Sequence, residues 1–253
     1  MRVTMLGCGT STGVPVIGCE CAVCTSPDPR NRRLRPSLWI ELPGGHVLVD
    51  TPPDLREQAL RFRVPRVDAV LFTHAHADHL FGLDDVRIFN FRQQAPIPCH
   101  GSPDTLSRVR AAFAYVWEEG QAGGGKPQLE LHPVDGPFEL LGAEVVPVPV
   151  WHGSLPVLGF RIGRFAYVTD VSSIPEESFP LLAGLDVLVL GALRYRRHPT
   201  HFSIREAVAA AGRVGARRTV LTHLAHDVDY GRPEVALPGS VELGQDGLVL
   251  DVA

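Results

Sequence analysis

The chain has 253 residues, 45% of them hydrophobic, enough to bury a substantial core in one large domain or two small ones. Its formal net charge of -4 argues against a general electrostatic affinity for nucleic acid, although local basic clusters stay open. No run of about eighteen apolar residues occurs, so no membrane span is expected, and the glycine-bearing opening Met1 to Gly7 does not read as a secretory signal; a cytoplasmic location is the expectation.

The first elements read as a β-meander over 2–6, 37–42 and 46–49, with Pro43, Gly44 and Gly45 turning between the last two. A helix over 54–62 places Leu55, Ala59 and Phe62 on one face. Residues 67–73 form a continuous apolar run of the kind buried on both faces. A longer helix over 102–117 carries Leu106, Val109, Phe113 and Val116 in a stripe. The glycine-rich stretch 118–127 reads as a mobile surface loop, with an active-site lid as the lesser reading. Strands follow over 144–150, 157–162, 165–169, 186–190, 218–222 and 248–252. Ser173 with Glu176, and Ser203 with Glu206, match the capping-box spacing, so helices are expected to start at both, the second continuing through Ala207 to Ala211. Strands running into helices in both halves imply an α/β fold of two sheets packed face to face with helices outside.

The segment His74-Ala75-His76-Ala77-Asp78-His79 follows the apolar run 67–73. Three imidazoles and a carboxylate cannot make an ordinary core, because burial would leave their polar atoms unsatisfied. They suit divalent metal: His74 and His76, two apart in extended chain, face one side, and the following turn can swing Asp78 and His79 toward a second ion. His152, Asp170 and His223 each fall at the end of an expected strand. The seven side chains suffice for two ions about 3.5–4 Å apart with one bridging carboxylate, an arrangement that leaves room for a hydroxide nucleophile. Imidazole and carboxylate accept zinc, manganese or iron alike, zinc or manganese being the expectation.

Five cysteines, an odd number, fit a reducing compartment, and three of them crowd into Cys19, Cys21 and Cys24. That spacing suits thiolate ligation of a structural zinc, with His226 available as the fourth ligand; Glu20 or water as the fourth, or a redox cluster, are the alternatives. Cys8 and Cys99 read as small buried thiols.

These motifs resemble the metallo-β-lactamase superfamily, whose H-x-H-x-D-H motif and later His, Asp and His stand at matching places along essentially the whole chain. The resemblance implies a single domain over 1–253 with the four-layer αββα sandwich and a zinc-binding loop at 18–25. It implies that His74, His76 and His152 hold one metal, that Asp78, His79 and His223 hold the other, and that Asp170 bridges. Asp50, at a strand end, would orient a ligand imidazole. Gly13-Val14-Pro15-Val16, the run Gly18 to Cys24 and Thr222-His223-Leu224-Ala225-His226 are similar to the cyclic-phosphodiesterase branch, the phosphoribosyl cyclic phosphate phosphodiesterase family of the carbon–phosphorus lyase pathway. Pro52 departs from that branch, where glycine is usual, which puts the local loop path in doubt.

The resemblance implies a hydrolase of small cyclic phosphodiesters acting through a metal-bridging hydroxide. His201 is expected as general acid with His198 in reserve, and Asp78 is expected to polarise the attacking water besides holding its metal. Two arginine groups are candidates for substrate phosphate: Arg194, Arg196 and Arg197, favoured because they lie beside His198, and the run Arg30, Arg32, Arg33 and Arg35. A transfer-RNA 3′-processing nuclease shares the core but normally carries a basic arm, absent here as an insertion, so the expected partner is a small phosphodiester and not nucleic acid. A thiolester or lactam hydrolase, or a metal-binding or nucleotide-sensing module with little turnover, are the remaining alternatives. A homodimer is compatible with the resemblance.

Overall fold

The computed structural model describes residues 1–118 and 125–253, so most of the expected loop over 118–127 lies outside the described residues. The first half runs β1 (Arg2–Gly7), β2 (Ser37–Leu42), β3 (Gly45–Val49), α1 (Leu55–Arg61), β4 (Ala69–Leu71), α2 (Ala77–Leu80), α3 (Arg87–Gln93), β5 (Ile97–Gly101), α4 (Pro103–Ala112) and β6 (Leu129–Pro133). The second runs β7 (Phe138–Leu140), β8 (Ala143–His152), β9 (Leu155–Ile162), β10 (Phe165–Val168), β11 (Val187–Gly191), α5 (Ile204–Val214), β12 (Arg218–Thr222), β13 (Val241–Leu243) and β14 (Val249–Asp251). They form two seven-stranded sheets, ordered β14-β1-β2-β3-β4-β5-β6 and β13-β12-β11-β10-β9-β8-β7. Each sheet is antiparallel at one end and parallel at the other, along β3 to β6 and along β10 to β13.

Strand periodicity builds the layers. Val187 and Val189 of β11 face the space between the sheets, where they meet Val47, Val49 and Leu71 from the first sheet. Leu188 and Leu190, one residue out of step, face α5 through Ile204, Ala207 and Ala211. In the first sheet Leu48, Val70 and Phe72 turn outward against Leu55 of α1, Phe89 of α3 and Leu106 and Val109 of α4. One core between the sheets and one beneath each helical layer make the αββα sandwich that the resemblance implies.

Three local expectations fail for physical reasons. The apolar run 67–73 pairs only over Ala69–Leu71, because the Thr73 N–H turns to the side chain of Asp50 (2.9 Å) and leaves the ladder. The helix expected to reach residue 117 ends at Ala112, where Phe113 leaves helical geometry (φ -117°, ψ 39°) and a short 3₁₀ turn follows. Ser173 caps nothing: Pro175 disfavours helical geometry at Ile174, only a 3₁₀ turn over Glu176–Ser178 forms, and Ser173 pairs with Trp151 instead.

Candidate metal centre

His74 and His76 follow β4, with His76 preceding the first residue of α2, so that the short helix carries Asp78 and His79 around behind them. His152 is the last residue of β8, Asp170 comes two residues after the end of β10, and His223 directly follows β12. The fold brings all seven into two groups: His74, His76, His152 and Asp170, and Asp78, His79, Asp170 and His223, with the ligating atoms of each group within 4.8 Å of one another. Asp170 belongs to both. Its Oδ2 lies 3.8 Å from His74 Nε2 and 3.9 Å from His152 Nε2, and its Oδ1 lies 3.2 Å from both His79 Nε2 and His223 Nε2. Asp78 Oδ2 closes the second group at 3.4 Å from His79 Nε2 and 3.5 Å from His223 Nε2.

The ring protons decide what these contacts are. His79 donates Nδ1–H to Asp50 Oδ2 at 2.7 Å, so its Nε2 presents a lone pair to two carboxylates unless a second proton sits there. His74 Nδ1 meets the Thr73 hydroxyl at 3.0 Å, and that hydroxyl in turn donates to Asp50 (2.8 Å). His152 donates Nδ1–H to the Thr200 carbonyl at 2.6 Å. Nε2 of His74, His79 and His223 is buried with no hydrogen-bond partner. Lone pairs converging on carboxylate oxygens repel, and positive charge between them, a proton on His79 in the empty chain or a metal ion in the loaded one, removes the conflict. Ligands of a single tetrahedral ion at bonds of about 2.0–2.1 Å stand about 3.3 Å apart, close to the 3.2–3.5 Å of the second group, while the first group is wider at 3.8 and 3.9 Å. The residues present therefore fit two divalent ions.

Electrostatics point the same way. Burial resists ionisation of Asp170, yet the charges of His223 and His79 outweigh it and hold the carboxyl well below the usual range. Burial likewise resists a charge on His79, but Asp170 and Asp50 outweigh it and hold the imidazole well above its usual range. The cluster calls for positive charge at its centre. Its backbone is strained as well: Asp50, Asp170 and His223 all sit in the left-handed region (φ 63°, 48° and 62°) without being glycine.

A separate cluster forms at the N-terminal loop. Cys19 Sγ lies 3.2 Å from His226 Nδ1, and Cys21 and Cys24 Sγ lie 3.5 Å from it, so one ring nitrogen faces three sulfurs. The Cys24 N–H reaches Cys21 Sγ (3.4 Å), and that bond is the chief cause lowering the Cys21 thiol to about 6. All five cysteines are free, and this set fits the closed Cys₃His tetrahedron of structural zinc.

The excursion between β11 and α5 supplies the remaining candidates. The His201 ring stands 4.5 Å from that of His152, 4.8 Å from His223 and 5.2 Å from His198. Burial, then the charge of His223, pushes His201 down to about 3, so it is neutral near pH 7. A cleft of about 400 Å³ opens here, lined by His198, His201, Arg197 and Glu206 among others. Arg197 pairs with Glu206 (2.9 Å), Arg194 folds back on the Arg197 carbonyl (3.4 Å), and Arg196 lines a neighbouring cleft with Arg205. The run at 30–35 takes a different part from the one its charge suggests. Arg33 is 1% exposed and donates to the carbonyls of Arg30, Ala225 and Val228, Arg30 pairs with Asp28, and Arg35 pairs with Asp54. Those arginines anchor the N-terminal loop. The missed contributors are Thr73 and Thr200, whose spacing in the sequence carried no signal.

Residues 46–224 match the β-lactamase superfamily domain. The solved structure of a diphosphatase from the PhnP family is 44% identical, with a TM-score of 0.93 over 100% of this chain and 98% of that one. An octanoyltransferase of Porphyromonas gingivalis is 38% identical over 98% of this chain, which spans about half (51%) of that protein's length. A ribonuclease Z of Mycobacterium bovis is 28% identical over 97% of this chain and 96% of its own. The chain belongs to the β-lactamase superfamily, in its PhnP-like branch.

Proposed function

We propose that the chain is a two-metal phosphodiesterase acting on small cyclic phosphodiesters. The observation that carries this reading is Asp170, whose two oxygens face two separate groups of imidazoles with partnerless, buried Nε2 atoms. His74, His76, His152 and Asp170 would hold one ion, and Asp78, His79, His223 and the same Asp170 the other. When bound, the pair would supply an activated water and neutralise charge on the phosphoryl group. Asp50 holds His79 by its Nδ1 proton and, through Thr73, steadies His74. Asp78 orients the attacking water from its uncommitted oxygen. His201 would deliver a proton to the leaving oxygen; burial and then His223 hold its ring neutral in the free chain, so that proton would be one released by the attacking water. His198 and Arg197 line the same cleft as His201, and its volume of about 400 Å³ suits a small substrate. Cys19, Cys21, Cys24 and His226 would hold a structural zinc joining the N-terminal loop to the segment after β12.

Purified protein should hold three divalent ions per chain and hydrolyse bis-p-nitrophenyl phosphate and cyclic nucleotides. No hydrolysis of any phosphodiester with either manganese or zinc overturns the reading. The octanoyltransferase match raises one second reading, an acyl thiolester substrate, with this chain corresponding to about half (51%) of that protein. An octanoyl thiolester split in preference to every phosphodiester would establish that reading instead.

A further inference from the structure

The outer hydrogen bonds that orient His74 and His79 come from within their own sheet, from Thr73 next door and from Asp50 at the end of the neighbouring strand. His152 differs. Its Nδ1–H goes to the carbonyl of Thr200, 48 residues further along, at 2.6 Å. Thr200 lies in the same excursion as His198 and His201, and it has a second set of contacts: its N–H donates to His198 Nδ1 at 3.3 Å, and its hydroxyl lies 3.2 Å from the same atom. A ring nitrogen that accepts cannot carry the proton, so neutral His198 keeps its proton on Nε2. One residue thus selects the tautomer of two histidines, in opposite senses.

The excursion is seated as a unit. Leu193 N–H bonds the Phe202 carbonyl (2.8 Å) and Ile204 N–H bonds that of Arg194 (2.9 Å), closing its base. Phe202 N–H reaches the carbonyl of Val171, and Ala225 N–H reaches that of Leu193, so the base is tied beside both Asp170 and His223. Its tip rests on Gly153, the residue after His152. Gly153 has φ +63°, and a Cβ there would lie 2.8 Å from Thr200 Cγ2. The absence of a side chain at 153 is what lets the Thr200 carbonyl approach His152.

We infer that Thr200, seated on Gly153, is a positioning residue that couples the two ends of the site: its carbonyl aims His152 at the metal, and its N–H and hydroxyl aim the His198 Nε2–H at the substrate. This rests on the two-metal reading. The coupling is selective, since Thr200 hydrogen-bonds His152, a ligand of the first ion, and none of Asp78, His79 and His223.

Metal competition against a chelator tests it, with thermal unfolding as a check on folding. Gly153→Ala should weaken one of the two centre ions by about 10–100-fold and leave the other and the cysteine-bound zinc in place. Thr200→Ser keeps every polar contact and should match the wild type. In the double variant the methyl that the new Cβ at position 153 would strike is gone, so affinity returns. A double variant as weak as Gly153→Ala would assign the loss to backbone strain and overturn the inference. Thr200→Val, which keeps the carbonyl and loses the hydroxyl, should retain all metal while raising KM for bis-p-nitrophenyl phosphate about five-fold with kcat little changed. This arm holds even where Gly153→Ala does not fold, and an unchanged KM overturns the substrate half of the inference. If the wild type binds only the cysteine-site ion, the two-metal reading fails; if it binds three ions and Gly153→Ala binds them equally well, the Thr200 inference alone fails.

Discussion

At the scale of single residues, the site is a set of lone pairs aimed by second partners. Asp50 is fully buried and accepts from the Thr73 N–H (2.9 Å), the Thr73 hydroxyl (2.8 Å) and His79 Nδ1 (2.7 Å), so a single carboxylate orders both ends of the hexapeptide. His201 stands beside the same cluster, its ring tilted against His152 and stacked on His223, and belongs to neither ligand group. His201→Ala should therefore lower turnover by about 10²–10⁴-fold while ion content stays at the wild-type level, read by steady-state kinetics beside elemental analysis. Equal losses of both would remove it from the acid role. The candidate ligands were legible because histidine, aspartate and cysteine announce their chemistry by type and spacing. Thr200 was not, since its contribution is a carbonyl that every residue carries. The arginines at 30–35 misled for a related reason: charge is visible in a sequence and burial is not, and Arg33 turns out to be wrapped in carbonyl oxygens.

Among the elements, α5 and the turn near Ser173 make a controlled comparison. Both begin with serine three residues before glutamate. At Ser203 the box closes, with Ser203 N–H on Glu206 Oε2 (2.9 Å) and Glu206 N–H on Ser203 Oγ (3.3 Å), and eleven residues of helix follow. At Ser173 the intervening Pro175 keeps the chain extended and no α-helix forms. The spacing is necessary and the residues inside it decide. Ser203→Ala should cost about 1 kcal/mol, seen as a lower urea midpoint with unchanged slope; no shift would mean that Glu206 caps the helix unaided. β11 was readable as a short continuous apolar run, the mark of a strand buried on both faces, while short strands such as β7 and β13 offer three residues each and too little pattern to detect.

For the whole molecule, the two-sheet architecture was readable from the order of strands and helices, whereas the closure of the chain ends was not. Asp246, in the loop before β14, accepts from the Cys8 N–H (3.0 Å) and the Leu34 N–H (2.8 Å), stitching the last segment to the first. Burial pushes its carboxyl up to about 6, against about 3.9 in an unfolded chain. Below about pH 4 both states hold the proton; between about 4 and 6 only the folded state does, so stability falls as pH rises through that window, by about 2–3 kcal/mol in all. Urea unfolding of Asp246→Asn from pH 4 to 7 should lack this decline, and a variant with the wild-type slope would place the titration elsewhere.

The three left-handed residues Asp50, Asp170 and His223 have a further consequence for the molecule as a whole. Each such conformation costs about 1–2 kcal/mol outside glycine, together a sizeable share of the about 5–15 kcal/mol that holds a typical domain folded. Selection on the empty chain would favour glycine at all three places, and mutation reaches glycine from aspartate in one base change. On the two-metal reading proposed above, the presence of these side chains marks the loaded protein, and not the bare polypeptide, as the object on which selection has acted.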